Sequence, residues 1–164
     1  MISDQIWGFE ALARFKSTDL GFVSPLEFIP LAEETKYINS IGDLIILEAC
    51  DFVNDLKRAG YTKMKVAINI SGIQLMSKEF TRRMLRLLQS KNVNPENVVI
   101  ELTESILSIK FEKINKVLSE LKVYGIGSSI DDFGTGYSSL SRERELIVDF
   151  LKIDKSFIDR LRFL

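Results

Sequence analysis

The sequence predicts an α/β protein with parallel strands, and three observations carry that reading. Short apolar strand-like runs alternate with segments of helical periodicity along the whole 164-residue chain. Glycines stand where helices should stop, at Gly60 and Gly125. Polar side chains recur at the ends of the strand-like runs, roughly one per run: Glu10, Asn69, Glu101, the pair Asp131 and Asp132, and Lys152.

Taken in order, Ile6 to Phe15 reads as a strand. Ser24-Pro25-Leu26-Glu27 reads as a helix start, with Ser24 as N-cap, Pro25 at the first helical position and Glu27 as the capping-box acid. A long helix runs from about Ser40 to Ala59 on the apolar spacing of Ile41, Leu44, Ile45, Phe52, Val53 and Leu56. Lys65 to Ile70 is a strand. Ser77 to Ser90 is a helix whose inner face is Phe80, Met84, Leu85, Leu87 and Leu88. Val98 to Thr103 is a strand, Phe111 to Tyr124 a helix, Ile126 to Asp131 and Phe150 to Ile153 strands, and Lys155 to Leu164 the start of another helix.

Size and composition suit one soluble domain, at 46% hydrophobic and 27% charged residues. A net charge of −1 offers no global field for duplex nucleic acid or a membrane surface. Cys50 is the only cysteine and falls in a helical pattern, which predicts a buried thiol in a reducing compartment. No apolar run is long enough to span a bilayer, and the first residues have no basic and apolar leader pattern, so the expectation is cytoplasmic.

Five strands are too few for a closed (β/α)₈ barrel, which needs eight. An open doubly wound sheet suits the length, but its usual glycine-rich phosphate turn is absent. The residues leave both open at this level.

The chemistry is narrower. There is no histidine, and the candidate ligands are oxygens, which favours magnesium or manganese over zinc. Asp131-Asp132-Phe133-Gly134-Thr135-Gly136-Tyr137-Ser138-Ser139 is the most specific segment. Adjacent side chains on a strand point to opposite faces, but where the strand turns into a loop two carboxylates can converge on neighbouring metals. Solvated acids in a glycine-rich turn are the alternative. Glu10 and Glu101 lie inside apolar runs, where an unpaired charge is costly, so each needs a partner: a structural salt bridge or a bound cation. Asn69 could bond backbone, and Lys152 could pair with any of these acids.

Glu10-Ala11-Leu12 with Arg14, Asn69-Ile70-Ser71, Glu101-Leu102-Thr103-Glu104-Ser105, the Asp131 to Ser139 segment and Leu151-Lys152-Ile153-Asp154 together resemble the EAL domain, the bacterial cyclic-di-GMP phosphodiesterase family. Ser24 to Glu33 and Gly42-Asp43 match too, in order and spacing, so residues 1–164 read as a single partial EAL domain. The resemblance implies an incomplete (β/α)₈ barrel of about five strands. It implies that Glu10, Asn69, Glu101 and Asp131 hold one divalent ion, that Asp131 and Asp132 share a second, and that Lys152 orients the attacking water. Arg14 and Leu12 would bind substrate, and Glu104 would anchor the loop after Asp132. The reaction implied is two-metal hydrolysis of cyclic-di-GMP to pGpG.

Departures from the family pattern go with that reading. The family's first strand and its two last strands have no counterpart, nor do the Glu-Gly-Val-Glu and Gln-Gly segments they carry, and Ile147 stands where a proline is usual. The expectation is therefore weak or absent hydrolysis by this chain alone, and a homodimer or larger assembly through exposed barrel edges. A non-catalytic module that binds cyclic-di-GMP or a protein partner is the alternative function, and an unrelated metal-dependent phosphohydrolase a weaker one.

Overall fold

The computed structural model describes residues 6–134 and 146–161. The strands are β1 (Gly8–Ala11), β2 (Phe15–Ser17), β3 (Gly21–Val23), β4 (Lys65–Asn69), β5 (Val98–Thr103), β6 (Gly127–Phe133) and β7 (Phe150–Ile153). The helices are α1 (Pro25–Glu34), α2 (Ile38–Arg58), α3 (Gly72–Leu75), α4 (Phe80–Ser90), α5 (Glu104–Val123) and α6 (Lys155–Leu161). β1, β4, β5, β6 and β7 form one parallel sheet in that order, with α1 and α2 between β1 and β4, α3 and α4 between β4 and β5, and α5 between β5 and β6.

The sheet is curled rather than flat. Five flat strands about 4.8 Å apart would hold the edge strands roughly 19 Å from each other. Here the ring of Trp7, just before β1, meets that of Phe150 on β7 edge-on at 4.7 Å between centroids. Higher up the same wall, Lys152 of β7 reaches Glu10 of β1 at 3.2 Å. The strands therefore wrap about a shared interior, as an incomplete (β/α)₈ barrel.

The outer face of the sheet carries the core. Val66 and Ile68 of β4, with Ile100 and Leu102 of β5, are buried against Ile46, Cys50 and Val53 of α2, Met84 and Leu88 of α4, and Ile114 and Leu118 of α5. Each such aliphatic side chain contributes about 1.5–3 kcal/mol on burial. That layer fixes the register that aims the inner face. Cys50 is fully buried and its thiol is pushed up to about 11, first by burial and then by the Asp51 carboxylate, so it is a packing residue. Gly60 and Gly125 take left-handed conformations past α2 and α5, as the sequence predicts.

Four expectations need correction. The strand expected from Ile6 to Phe15 ends at Ala11, and Phe15 begins a separate antiparallel hairpin, β2–β3. Its three-residue loop closes on Gly21 at φ +70°, with the Ser17 hydroxyl accepting from the Asp19 and Leu20 amides. Ser24 caps α1 by accepting from the Leu26 amide, and the capping box lies instead at Ser71 and Gln74, where α3 begins. The helix expected over Ser77 to Ser90 is α4 alone, starting at Phe80. α5 starts at Glu104 rather than Phe111, which places an acid in its first turn, where the helix dipole favours it.

Candidate active site

Strand alternation and register build the site. Glu10 registers with Ala67, Asn69 with Glu101, and Thr103 with Asp131, so four polar side chains from four adjacent strands rise into the carboxyl-terminal mouth of the curl. Glu10, Glu101 and Asp131 each offer a carboxylate oxygen, and these oxygens lie within 4.8 Å of one another. Lys152 closes the group from β7. Its ammonium stands 2.6 Å from Glu101 Oε1, 3.2 Å from Glu10 Oε2 and 3.9 Å from Asp131 Oδ2. Asn69 Nδ2 donates to Glu10 Oε1 at 2.8 Å.

The electrostatics follow from burial. Glu101 is only 2% exposed. Burial raises its carboxyl above the usual range; Lys152 opposes that rise, while the Glu10 and Asp131 charges add to it. Burial also pushes Glu10 up, but the Asn69 amide and the Lys152 ammonium outweigh it and hold Glu10 below its ordinary value. Burial would lower Lys152, yet its bonds to Glu101 and Glu10 hold it above the ordinary lysine value. Three carboxylates thus face one ammonium. When ionised, the group carries two uncompensated negative charges, the charge of one divalent cation.

Asp132 is the irregular member. It sits at φ +55°, in the left-handed region that few non-glycine residues adopt, where the β6–β7 register shifts between Ile130 and Phe133. Its amide donates to Asp131 Oδ1 at 3.0 Å. Burial raises the Asp132 carboxyl, and the neighbouring Asp131 and Asp154 charges add to that rise. It is not one of the three converging carboxylates.

Glu104, 2% exposed at the start of α5, accepts from the Gly134 amide at 2.8 Å and so ties down the chain just after Asp132. Leu12 and Arg14 line a cavity of about 860 Å³ beside the cluster, together with Asn69, Glu101, Phe28 and Ile73. The Arg14 guanidinium is exposed and donates to the Ala13 carbonyl. The later part of the Asp131 to Ser139 segment, from Thr135 on, lies outside the described residues. The sequence reading missed Ser129, whose hydroxyl donates to Glu101 Oε1 at 3.3 Å. Its position two residues before Asp131, on the same strand face, was the available signal.

The oxygen donors fit a hard divalent cation, with carboxylates converging from three strands and no soft ligand in the converging group. An α/β half-barrel with an acidic, oxygen-only site at the carboxyl ends of its strands is the architecture of barrel enzymes. The family described as EAL domain matches residues 1–162, and the chain belongs to that family. The probable cyclic di-GMP phosphodiesterase PdeB of Escherichia coli (strain K12) is 36% identical over 163 residues, covering 99% of this chain and 31% of that protein. The signaling protein YkoW of Bacillus subtilis (strain 168) is 43% identical over 155 residues, covering 94% of this chain and 19% of that protein. Among solved structures, the phosphodiesterase PaMucR in complex with c-di-GMP superposes with a TM-score of 0.87 at 35% identity, covering 95% of this chain and 63% of that one. The chain thus spans between about a fifth and a third of the length of these two curated relatives.

Proposed function

We propose that residues 1–164 are part of one EAL domain that hydrolyses cyclic-di-GMP to linear pGpG, with magnesium or manganese held by Glu10, Asn69, Glu101 and Asp131. The observation that carries this reading is the charge balance: three converging carboxylates are matched by one ammonium and remain two positive charges short. The relatives' names and the c-di-GMP complex of a structural neighbour support the substrate. A divalent cation bound there would polarise the phosphodiester and acidify a coordinated water. In the two-ion form of the reading, Asp132 joins Asp131 at the second ion.

The chain's own groups do the rest. Lys152 offers a protonated nitrogen at the rim of the carboxylates, placed to hold and orient an attacking water. Arg14, exposed on the cavity wall, offers charge-assisted donors to a substrate phosphate, and Leu12 offers an apolar surface beside it. Glu104 fixes the backbone that carries Asp132 into place. Conversion of cyclic-di-GMP to pGpG, followed chromatographically with magnesium or manganese, tests this reading. Turnover that disappears in Asp131→Asn supports it. Binding without turnover would support the alternative of a non-catalytic cyclic-di-GMP receptor.

A further inference from the structure

We infer that Ser129 is a positioning residue for Glu101: its hydroxyl sets the plane in which that carboxylate meets the divalent cation. The inference rests on the metal reading given under Proposed function, but on a residue to which that reading gives no part.

Ser129 lies on β6 directly opposite Glu101 of β5 in the sheet register, one pleat before Asp131 on the inner face. Both Ser129 and Glu101 are 2% exposed. The Lys152 ammonium stands 2.6 Å from Glu101 Oε1 and 2.7 Å from Oε2, nearly equidistant from the two oxygens. A donor on the carboxylate's own axis attracts the group without fixing its rotation, because the last torsion of glutamate is broad and roughly two-fold. Ser129 Oγ donates to Oε1 alone, from the side, at 3.3 Å. This contact falls on one oxygen of a carboxylate whose two oxygens the ammonium meets almost equally. An outer hydrogen bond of this kind commonly governs how well a ligand carboxylate holds its metal.

The test is Mn²⁺ titration calorimetry on the full chain with Ser129→Ala and Ser129→Thr, alongside thermal unfolding of the ion-free proteins. Ser129→Ala is expected to weaken Mn²⁺ binding about 10- to 100-fold, with Ser129→Thr, which keeps the hydroxyl, within about threefold of the parent. Unfolding of the ion-free Ser129→Ala protein should stay close to the parent, separating positioning from general stability. Equal affinity for Ser129→Ala overturns the inference, and so does a threonine variant as weak as the alanine one. A parent chain that takes up no Mn²⁺ defeats the metal reading instead. In that case the Lys152 ammonium protons, followed by ¹⁵N NMR without metal, decide for Ser129. Faster exchange in Ser129→Ala sustains its hold on the Glu101–Lys152 pair, and an unchanged signal ends it.

Discussion

Replacing Lys152 by methionine is the most informative perturbation of the site, because it removes an ammonium that faces three carboxylates while keeping the approximate length of the side chain. Glu101 is 2% exposed and would lose its ammonium at 2.6 Å, while Glu10 and Asp131 remain nearby. Breaking a buried pair from one side costs about 3–5 kcal/mol. Lys152 itself is 39% exposed and Glu10 33%, so water screens part of that loss, and we expect about 2 kcal/mol at neutral pH. For a domain of this size that is a fall in Tm of about 4–8 °C.

The pH dependence has a definite sign. Burial already raises the Glu101 carboxyl, and loss of Lys152 removes what opposes the rise. A carboxyl whose folded pKa lies above its unfolded value disfavours folding at higher pH, and the penalty fades as pH falls and the group takes a proton. The deficit of Lys152→Met should therefore be largest near neutrality and shrink toward pH 5. In the parent, Lys152 has a linkage of the same sign, acting at higher pH. Its raised value means that its contribution is complete below the ordinary lysine range and is lost as pH climbs through the raised one. Lys152→Met combined with Glu101→Gln should recover much of the loss, since no unpaired buried charge remains. Calorimetric or circular-dichroism melts across pH measure all three proteins. A Lys152→Met melt identical to the parent, flat with pH, would refute the claim that this ammonium sits within the carboxylate group.

Two further outcomes are expected. Gly42 faces the Gln74 amide so closely that an added methyl group must displace a buried side chain held in the Ser71 capping box, so Gly42→Ala should cost about 1–3 kcal/mol by chemical denaturation. The two edge strands of the curled sheet carry exposed Phe9, Phe150, Leu151 and Ile153, with exposed Trp7 just before β1, so light scattering during size-exclusion chromatography should give at least a dimer mass for this 164-residue chain, and a stable monomer would count against it.

The parallel sheet and most of its helices were legible because apolar periodicity and glycine stops agree along the chain. Val66, Ile68, Ile100 and Ile130 fall where the pattern puts them, on the packed face. The polar residues on the opposite face, Glu10, Glu101, Asp131 and Lys152, were legible because a charge inside an apolar run demands a partner. Their meeting was legible through the family resemblance rather than in any one strand, since it depends on the sheet curling far enough for β7 to face β1. The β2–β3 hairpin escaped notice because its strands are only three residues long, although Ser17 through Gly21 carries a turn signature. The early start of α5 was hidden because its apolar period is regular only from Phe111 onward, while its first turn serves the site through Glu104. Ser129 looked like an ordinary strand residue because its importance lies in the strand beside it.

The central claim is that Glu10, Glu101 and Asp131 together hold a divalent cation. An anomalous difference map from crystals grown with Mn²⁺ tests it most directly. A peak is expected within about 2.0–2.6 Å of a carboxylate oxygen from each of the three residues. An empty cluster at saturating Mn²⁺, or a peak that only one of them reaches, would contradict it.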